Sequence, residues 1–239
     1  MKDFFLKENT DFVPFSLQHL YVVLFLILFG IFFIKWAKKQ PLKTQILTGN
    51  IFAFFISLVV IIHTLLKVYK GTFNYQEHLP LQLCTFLALL IPIFSLTRKY
   101  LYYEVLFFLV LTGTFQALVT PTEYNFMNMP FVKYWVVHAG LVIFMLYATF
   151  VYNMRPTFRS VIKSFIGMQV YIILMFIVNY ILGSNYFYTM KKPDGTTLLS
   201  LFGDWPYYIL AVEIIIIPYF LLIYLPFYLT RKRVKNSES

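Results

Sequence analysis

Apolar residues in this chain fall in long continuous runs, not in the spaced stripes of a water-soluble helix. Seven runs lie near Leu17–Ile34, Ile46–Leu66, His78–Ser95, Tyr100–Thr120, Phe131–Tyr152, Val161–Leu182 and Pro206–Leu229. Each is long enough, or nearly so, to cross about 30 Å of hydrocarbon at about 1.5 Å per residue. Breakers stand between them: Gly71, Pro121, Pro130, Pro156 and the polar run K-K-P-D-G-T-T at 191 to 197. Pro130 and Pro206 suit helix starts, whereas Pro92, Pro218 and Pro226 lie inside runs and should bend or interrupt them. The pattern predicts an all-α polytopic membrane protein, a bundle of seven transmembrane helices forming a single domain over residues 1–239.

Composition agrees. Of the residues, 60% are hydrophobic and 13% are charged, against about 25% charged in soluble domains. The first run is not a signal peptide, because its basic cluster, Lys35, Lys38 and Lys39, comes after the apolar stretch instead of preceding it. The net charge of +10 is spread over the ends of the runs, as membrane-flank charge and not as a nucleic-acid footprint. Of the 20 Lys and Arg, seven (Lys2, Lys7, Lys67, Lys70, Lys133, Lys191, Lys192) fall on the N-terminal side of the membrane and the other 13 on the opposite side. Because cytoplasmic loops are basic, the N-terminus is expected outside and the R-K-R-V-K tail in the cytoplasm. Asp3, Glu8, Asp11, Glu77, Glu123, Asp194 and Asp204 then all lie outside.

Polar groups within hydrocarbon are costly, so where they gather is informative. With this topology His19, His63, His78 and His138 all map to the outer third of the membrane. The one cysteine, Cys84, is six residues into its run and His138 seven residues into its own, about 9 to 10 Å deep in both cases. Gln82 would share a helix face with His78. Gln116, Asn179 and Glu213 reach the same level, while the inner half offers little beyond Glu104 and Gln169. One outward-facing polar cavity lined by most of the helices would account for this. Each residue also has a bland reading. A lone membrane cysteine is ordinarily an inert small hydrophobe; His19, His63 and His78 sit near helix ends, where an imidazole simply meets water; and Glu213 needs a partner, such as a His, or a proton.

A thiol beside an imidazole is the pairing of nucleophilic acyl transfer. Glu213, Asn179 and Gln116 are candidates to orient the base, and Gln82 or Gln116 to stabilise an oxyanion. At this depth the nearest esters belong to phospholipids. The residues thus suggest acyl transfer or hydrolysis on a lipid through a thioester on Cys84, with His138 as general base. The partners expected are membrane phospholipids and lysophospholipids, with no nucleic acid, cofactor or metal. A single cysteine excludes an intramolecular disulfide framework and a Cys-based metal cluster.

Four stretches also resemble a known family: H-L-P-L-Q-L-C from 78, G-T-F-Q-A-L-V-T-P-T from 113, Y-W-V-V-H-A-G from 134, and the segment from Asn179 to Tyr208 that contains K-K-P-D-G-T-T. They resemble the YwaF-like family of bacterial integral membrane proteins, over nearly the whole chain. That family is similar, more remotely, to a vertebrate seven-helix transmembrane acyltransferase acting on lyso ether phospholipids, which depends on a Cys and a His in separate helices. The resemblance implies Cys84 and His138 in those roles and a bacterial cell membrane as location. Gln82 stands where the family often carries a His. Because acyl-CoA is confined to the cytoplasm, an outward pocket favours transfer from one phospholipid to a lysophospholipid. The rival expectations are an outward-facing transporter or receptor for a small polar solute and a metal-dependent membrane hydrolase, the latter weakened by the absence of any H-x-x-x-H spacing.

Overall fold

The computed structural model describes residues 13, 15–119, 121, 128–192 and 201–237, the last seven as backbone only. Several charges used for the orientation (Lys2, Asp3, Lys7, Glu8, Asp11, Glu123 and Asp194) lie outside the described residues, as does most of the polar run that begins at Lys191. The chain is all-helical. Its helices are α1 (Leu17–Lys38), α2 (Leu42–Tyr69), α3 (Leu83–Thr97), α4 (Tyr100–Val119), α5 (Met129–Phe150), α6 (Phe158–Leu182) and α7 (Tyr207–Ser237). Six of them are long and apolar enough to cross a membrane. This is an integral, multi-pass membrane protein.

The exception is α3. It has 15 residues, about 22 Å of helix, and it starts at Leu83 instead of His78. The reason is Pro80. A proline disfavours helical backbone at the residue before it, and Leu81 N–H turns back to the Leu79 carbonyl at 2.7 Å. Gln82 is the extended N-cap, with ψ 139°. His78 and Gln82 therefore do not share a helix face, contrary to the expectation from spacing. Elsewhere the apolar runs translate into helices with small shifts at their ends. Pro130 lies in the first turn of α5, which Asn128 caps by accepting from Phe131 N–H at 2.8 Å. Pro218 and Pro226 do not end α7, which continues through both.

Helix α5 is central and packs on α1, α2, α3 and α4. Of its most apolar window, 67% is buried, against 11% for α1, whose side chains mostly face outward. Helix α2 pairs with α3 and α5, and α4 pairs with α6. Gly140 allows α5 to approach α2 closely, since a Cβ there would stand 2.9 Å from Ile56 Cγ1. Within α4, residues Val110–Thr114 form a π-helical turn. It packs on α3 and α5, with Gly113 facing Leu83.

The bundle has two ends that differ in buried chemistry, a Glu104 end and a Cys84 end. At the first, Glu104 is 2% exposed. It pairs with Lys163, accepts from Ser160 Oγ–H at 2.9 Å, and its carbonyl accepts from Ser164 Oγ–H at 2.8 Å. Tyr147 O–H donates to the Gln45 carbonyl at 2.6 Å, and the hydroxyls of Tyr103 and Thr149 are 2.9 Å apart. This end is thus richer in polar pairs than the sequence suggested. An apolar groove of about 330 Å³ between α1 and α2, lined by Phe33, Trp36 and Phe52 among others, also lies at this end.

At the Cys84 end, the connection after α6 folds over the segment before α3. Gly183 ends α6 in the left-handed region, φ 61°, where glycine adopts the backbone without strain. Asn179, 1% exposed, organises the loop beyond it. Its Nδ2 donates to the Tyr186 carbonyl and to Thr189 Oγ1, both at 2.8 Å. Its Oδ1 accepts from Ser184 Oγ–H at 2.7 Å and Tyr186 N–H at 2.8 Å. The Tyr186 hydroxyl then accepts Leu79 N–H at 2.9 Å and donates to the Tyr75 carbonyl at 2.7 Å. Replacing Asn179 with Ala leaves several of these buried groups without partners, a loss of about 2–4 kcal/mol. Thermal unfolding of the detergent-solubilised protein should show a lower midpoint for Asn179→Ala, with helix content below the transition unchanged.

Candidate functional site

The late start of α3 puts Cys84 in its first turn. The first turn of any helix has backbone N–H groups without a helical acceptor. The Gln82 side chain does not cap them. Instead its Oε1 accepts Phe187 N–H at 3.1 Å. Tyr171 donates its hydroxyl to the Leu81 carbonyl and stacks near Phe86. Cys84 is a half-buried free thiol, packed against the main core.

Inter-helix contacts give the relative levels along the bundle. Ser95 Oγ–H donates to Asn50 Oδ1 at 2.7 Å, so α3 and α2 are level there. Eleven residues from Ser95 back to Cys84 match eleven from Asn50 forward to Ile61 on antiparallel α2. From the Gly140–Ile56 contact, the same count sets His138 level with Leu58 and Lys133 level with His63. Cys84, His138, Lys133 and His63 therefore fall within about 8 Å of one another along the axis. Lys133 is close enough to act electrostatically on Cys84, His138, His63 and Lys67.

His138 is half-buried. Its Nδ1 lies 2.7 Å from the Tyr134 carbonyl, which can only accept, so Nδ1 carries the proton and Nε2 of the neutral ring is left as a base. The Tyr134 ring packs on the imidazole at 4.2 Å, fixing its plane. No hydrogen bond joins His138 and Cys84 among the described residues.

Lys67, 9% exposed, brings its Nζ within 2.9 Å of His78 Nε2. His78 Nδ1 accepts Asn74 N–H at 2.8 Å. His63 is half-buried and within electrostatic range of Lys67, His78 and Lys133. Glu77, whose side chain is 69% exposed, lies 3.9 Å from His78.

The remaining predicted residues do not join this group. His19 is 6% exposed; its Nδ1 accepts Phe15 N–H at 3.0 Å and its Nε2–H donates to the Leu118 carbonyl at 2.9 Å, a structural tie between α1 and α4. Gln116 is exposed. Asn179 spends both amide atoms on the covering loop. Glu213 accepts from Gln169 Nε2–H at 2.5 Å, so its partner is an amide on α6 and not a histidine. Among the described residues these side chains fall in separate clusters, because depth does not say which way a side chain points around its helix. Among the described residues no three His, Cys, Asp or Glu side chains gather as metal ligands. Lys133 was the residue that sequence reasoning missed: its position near a helix end reads as flanking charge. No spacing marks it, since five residues at about 100° each turn it about 140° from His138 around α5.

Comparison with known proteins finds no match among curated proteins and none among solved structures. The model of the TMEM164 family matches residues 14–224, which include every helix that contributes to the site. The chain belongs to the TMEM164 family.

Proposed function

We propose that this protein moves a fatty acyl chain between a phospholipid and a lysophospholipid through a thioester on Cys84, with His138 as general base. The observation that carries the reading is the common level of Cys84 and His138 on packed helices, with the base nitrogen of His138 left open. In the first half, His138 Nε2 takes the Cys84 proton, the sulfur attacks an ester carbonyl carbon, and a C–S bond forms as the ester C–O bond breaks. The proton passes from His138 to the departing lysophospholipid oxygen. In the second half, a lysophospholipid hydroxyl gives its proton to His138 and attacks the thioester, its new C–O bond replaces the C–S bond, and His138 returns the proton to the departing Cys84 sulfur. Catalytic hydrogen bonds often tighten only when substrate is present, so the resting Cys84–His138 separation closes on binding.

The first-turn N–H groups of α3 supply oxyanion stabilisation in this scheme. They are fixed donors at the end of the helix where anions are favoured, and they take the role that spacing assigned to Gln82 or Gln116. The same reading puts the protein in a bacterial cell membrane, N-terminus outside and C-terminus in the cytoplasm, with the Cys84 end outward. A lipid already in the outer leaflet is then the acyl donor.

Liposomes holding a phospholipid with an isotope-labelled acyl chain and an unlabelled lysophospholipid test the chemistry by mass spectrometry. Label should move to the lysophospholipid with wild type, about a thousandfold more slowly or not at all with Cys84→Ser, and about a hundredfold more slowly with His138→Ala. Release of free labelled acid would instead mean hydrolysis at the same residues. Equal transfer by all three proteins would remove Cys84 from the mechanism. The orientation has its own check: Glu77→Cys in a Cys84→Ser background should react with a membrane-impermeant maleimide on intact cells. Reaction only after permeabilisation would invert the topology.

A further inference from the structure

Thr85 follows Cys84 in the first turn of α3 and is 8% exposed. Threonines deeper in these helices return their hydroxyl to the carbonyl four residues back, as is usual. Thr64 Oγ–H donates to Val60 at 3.0 Å, and those of Thr112 and Thr149 to Phe108 and Met145, both at 2.8 Å. For Thr85 the corresponding carbonyl is that of Leu81, which lies outside the helix and accepts from the Tyr171 hydroxyl. The Thr85 hydroxyl makes no hydrogen bond among the described residues. The first backbone bond of the helix runs from Phe86 N–H to the Gln82 carbonyl at 2.9 Å, so the N–H groups of Leu83, Cys84 and Thr85 have no helical acceptor either. A buried hydroxyl without a partner is costly, and this one stands beside the thiol and beside open backbone donors. Side chains in a helix lean toward its N-terminus, so those of Cys84 and Thr85 both lean toward these N–H groups.

We propose that Thr85 is a further catalytic residue, whose Oγ–H donates to the carbonyl oxygen of the acyl group while Cys84 attacks it. This role rests on the acyl-transfer reading. As the sulfur adds to the ester carbon, a C–S bond forms and the C=O π pair moves onto oxygen. Thr85 holds that oxyanion by a hydrogen bond and keeps its own proton. When the tetrahedral species collapses, the pair returns to restore C=O, the ester C–O bond breaks, and His138 protonates the departing oxygen. The same contact serves the second half, where the C–S bond is the one that breaks. A hydrogen bond to an oxyanion is charge-assisted and stronger than one to a neutral carbonyl, so the contact favours the transition state over the bound ester. Tyr171 acts as a positioning residue: by engaging the Leu81 carbonyl it leaves the Thr85 hydroxyl for the substrate.

The test compares Thr85→Val, which keeps the shape and loses the hydroxyl, with Thr85→Ser, which keeps the hydroxyl and loses the methyl. In the liposome assay Thr85→Val should lower kcat by about tenfold to a hundredfold with KM unchanged, and Thr85→Ser should stay within about threefold of wild type. A phospholipid analogue with a trifluoromethyl ketone in place of one ester gives a second readout. Cys84 adds to the ketone and leaves an oxyanion that has no leaving group to expel. Thr85→Val should bind this analogue about tenfold or more weakly than wild type, and should bind a di-O-alkyl phospholipid, which has no carbonyl, as well as wild type does. Thr85→Val that matches wild type in both rate and ketone binding overturns the role of Thr85 and leaves the transfer reading intact. So does Thr85→Ser as slow as Thr85→Val with an unchanged unfolding midpoint, because the methyl is then what matters. Wild type that moves no acyl chain and holds the ketone no more tightly than the ether removes the transfer reading, and this role with it.

Discussion

Hydrocarbon supplies no hydrogen bonds, so every backbone polar group within it needs a partner from the protein. In this bundle α3 is the short helix: its 15 residues make about 22 Å, less than the roughly 30 Å of a hydrocarbon layer. The missing length is made by non-helical chain from Tyr75 to Gln82. Its polar groups are met by backbone turns and by side chains: Tyr186 serves Tyr75 and Leu79, Tyr171 serves Leu81, and Gln82 reaches the loop that covers it. Asn179 holds that loop in place. Cys84 occupies the first turn of α3 because of this substitution of loop for helix.

The chemistry of the site derives from that position. A helix that begins below the surface presents its unsatisfied N–H groups and the positive end of its dipole where water is scarce. Next to it, α5 carries His138 with its tautomer fixed by the carbonyl one turn earlier, and Lys133 with no described counter-charge. The π-helical turn of α4 forms a further wall, with Gly113 against Leu83. A thiol, a base, backbone donors and cations are brought to one end of the bundle by helices that are each ordinary apolar segments over most of their length.

The helices were legible from the sequence because each is a continuous apolar run, and hydropathy reports length well. The start of α3 was not legible from hydropathy, since L-P-L-Q-L-C reads as apolar whether it is helix or loop; Pro80 was the one local signal against helix. Depth also was legible, but direction around each helix was not. His19 and Asn179 turn to Leu118 and to the covering loop, and Glu213 meets Gln169, which depth counting had assigned to the opposite half of the bundle. Lys133 reads as flanking charge for the same reason, because a position near a helix end does not tell whether the side chain points to headgroups or inward.

The two ends of the bundle also differ mechanically. At the Glu104 end, a buried carboxylate, a lysine and two serines join α4 to α6, and Tyr147 joins α5 to α2. At the other end α4 contains a π turn, whose hydrogen-bond register is looser than that of an α-helix. Stiffness is therefore concentrated at one end and compliance at the other. Any bending of α4 is then expected at its π turn, with the Glu104 pins acting as the fulcrum.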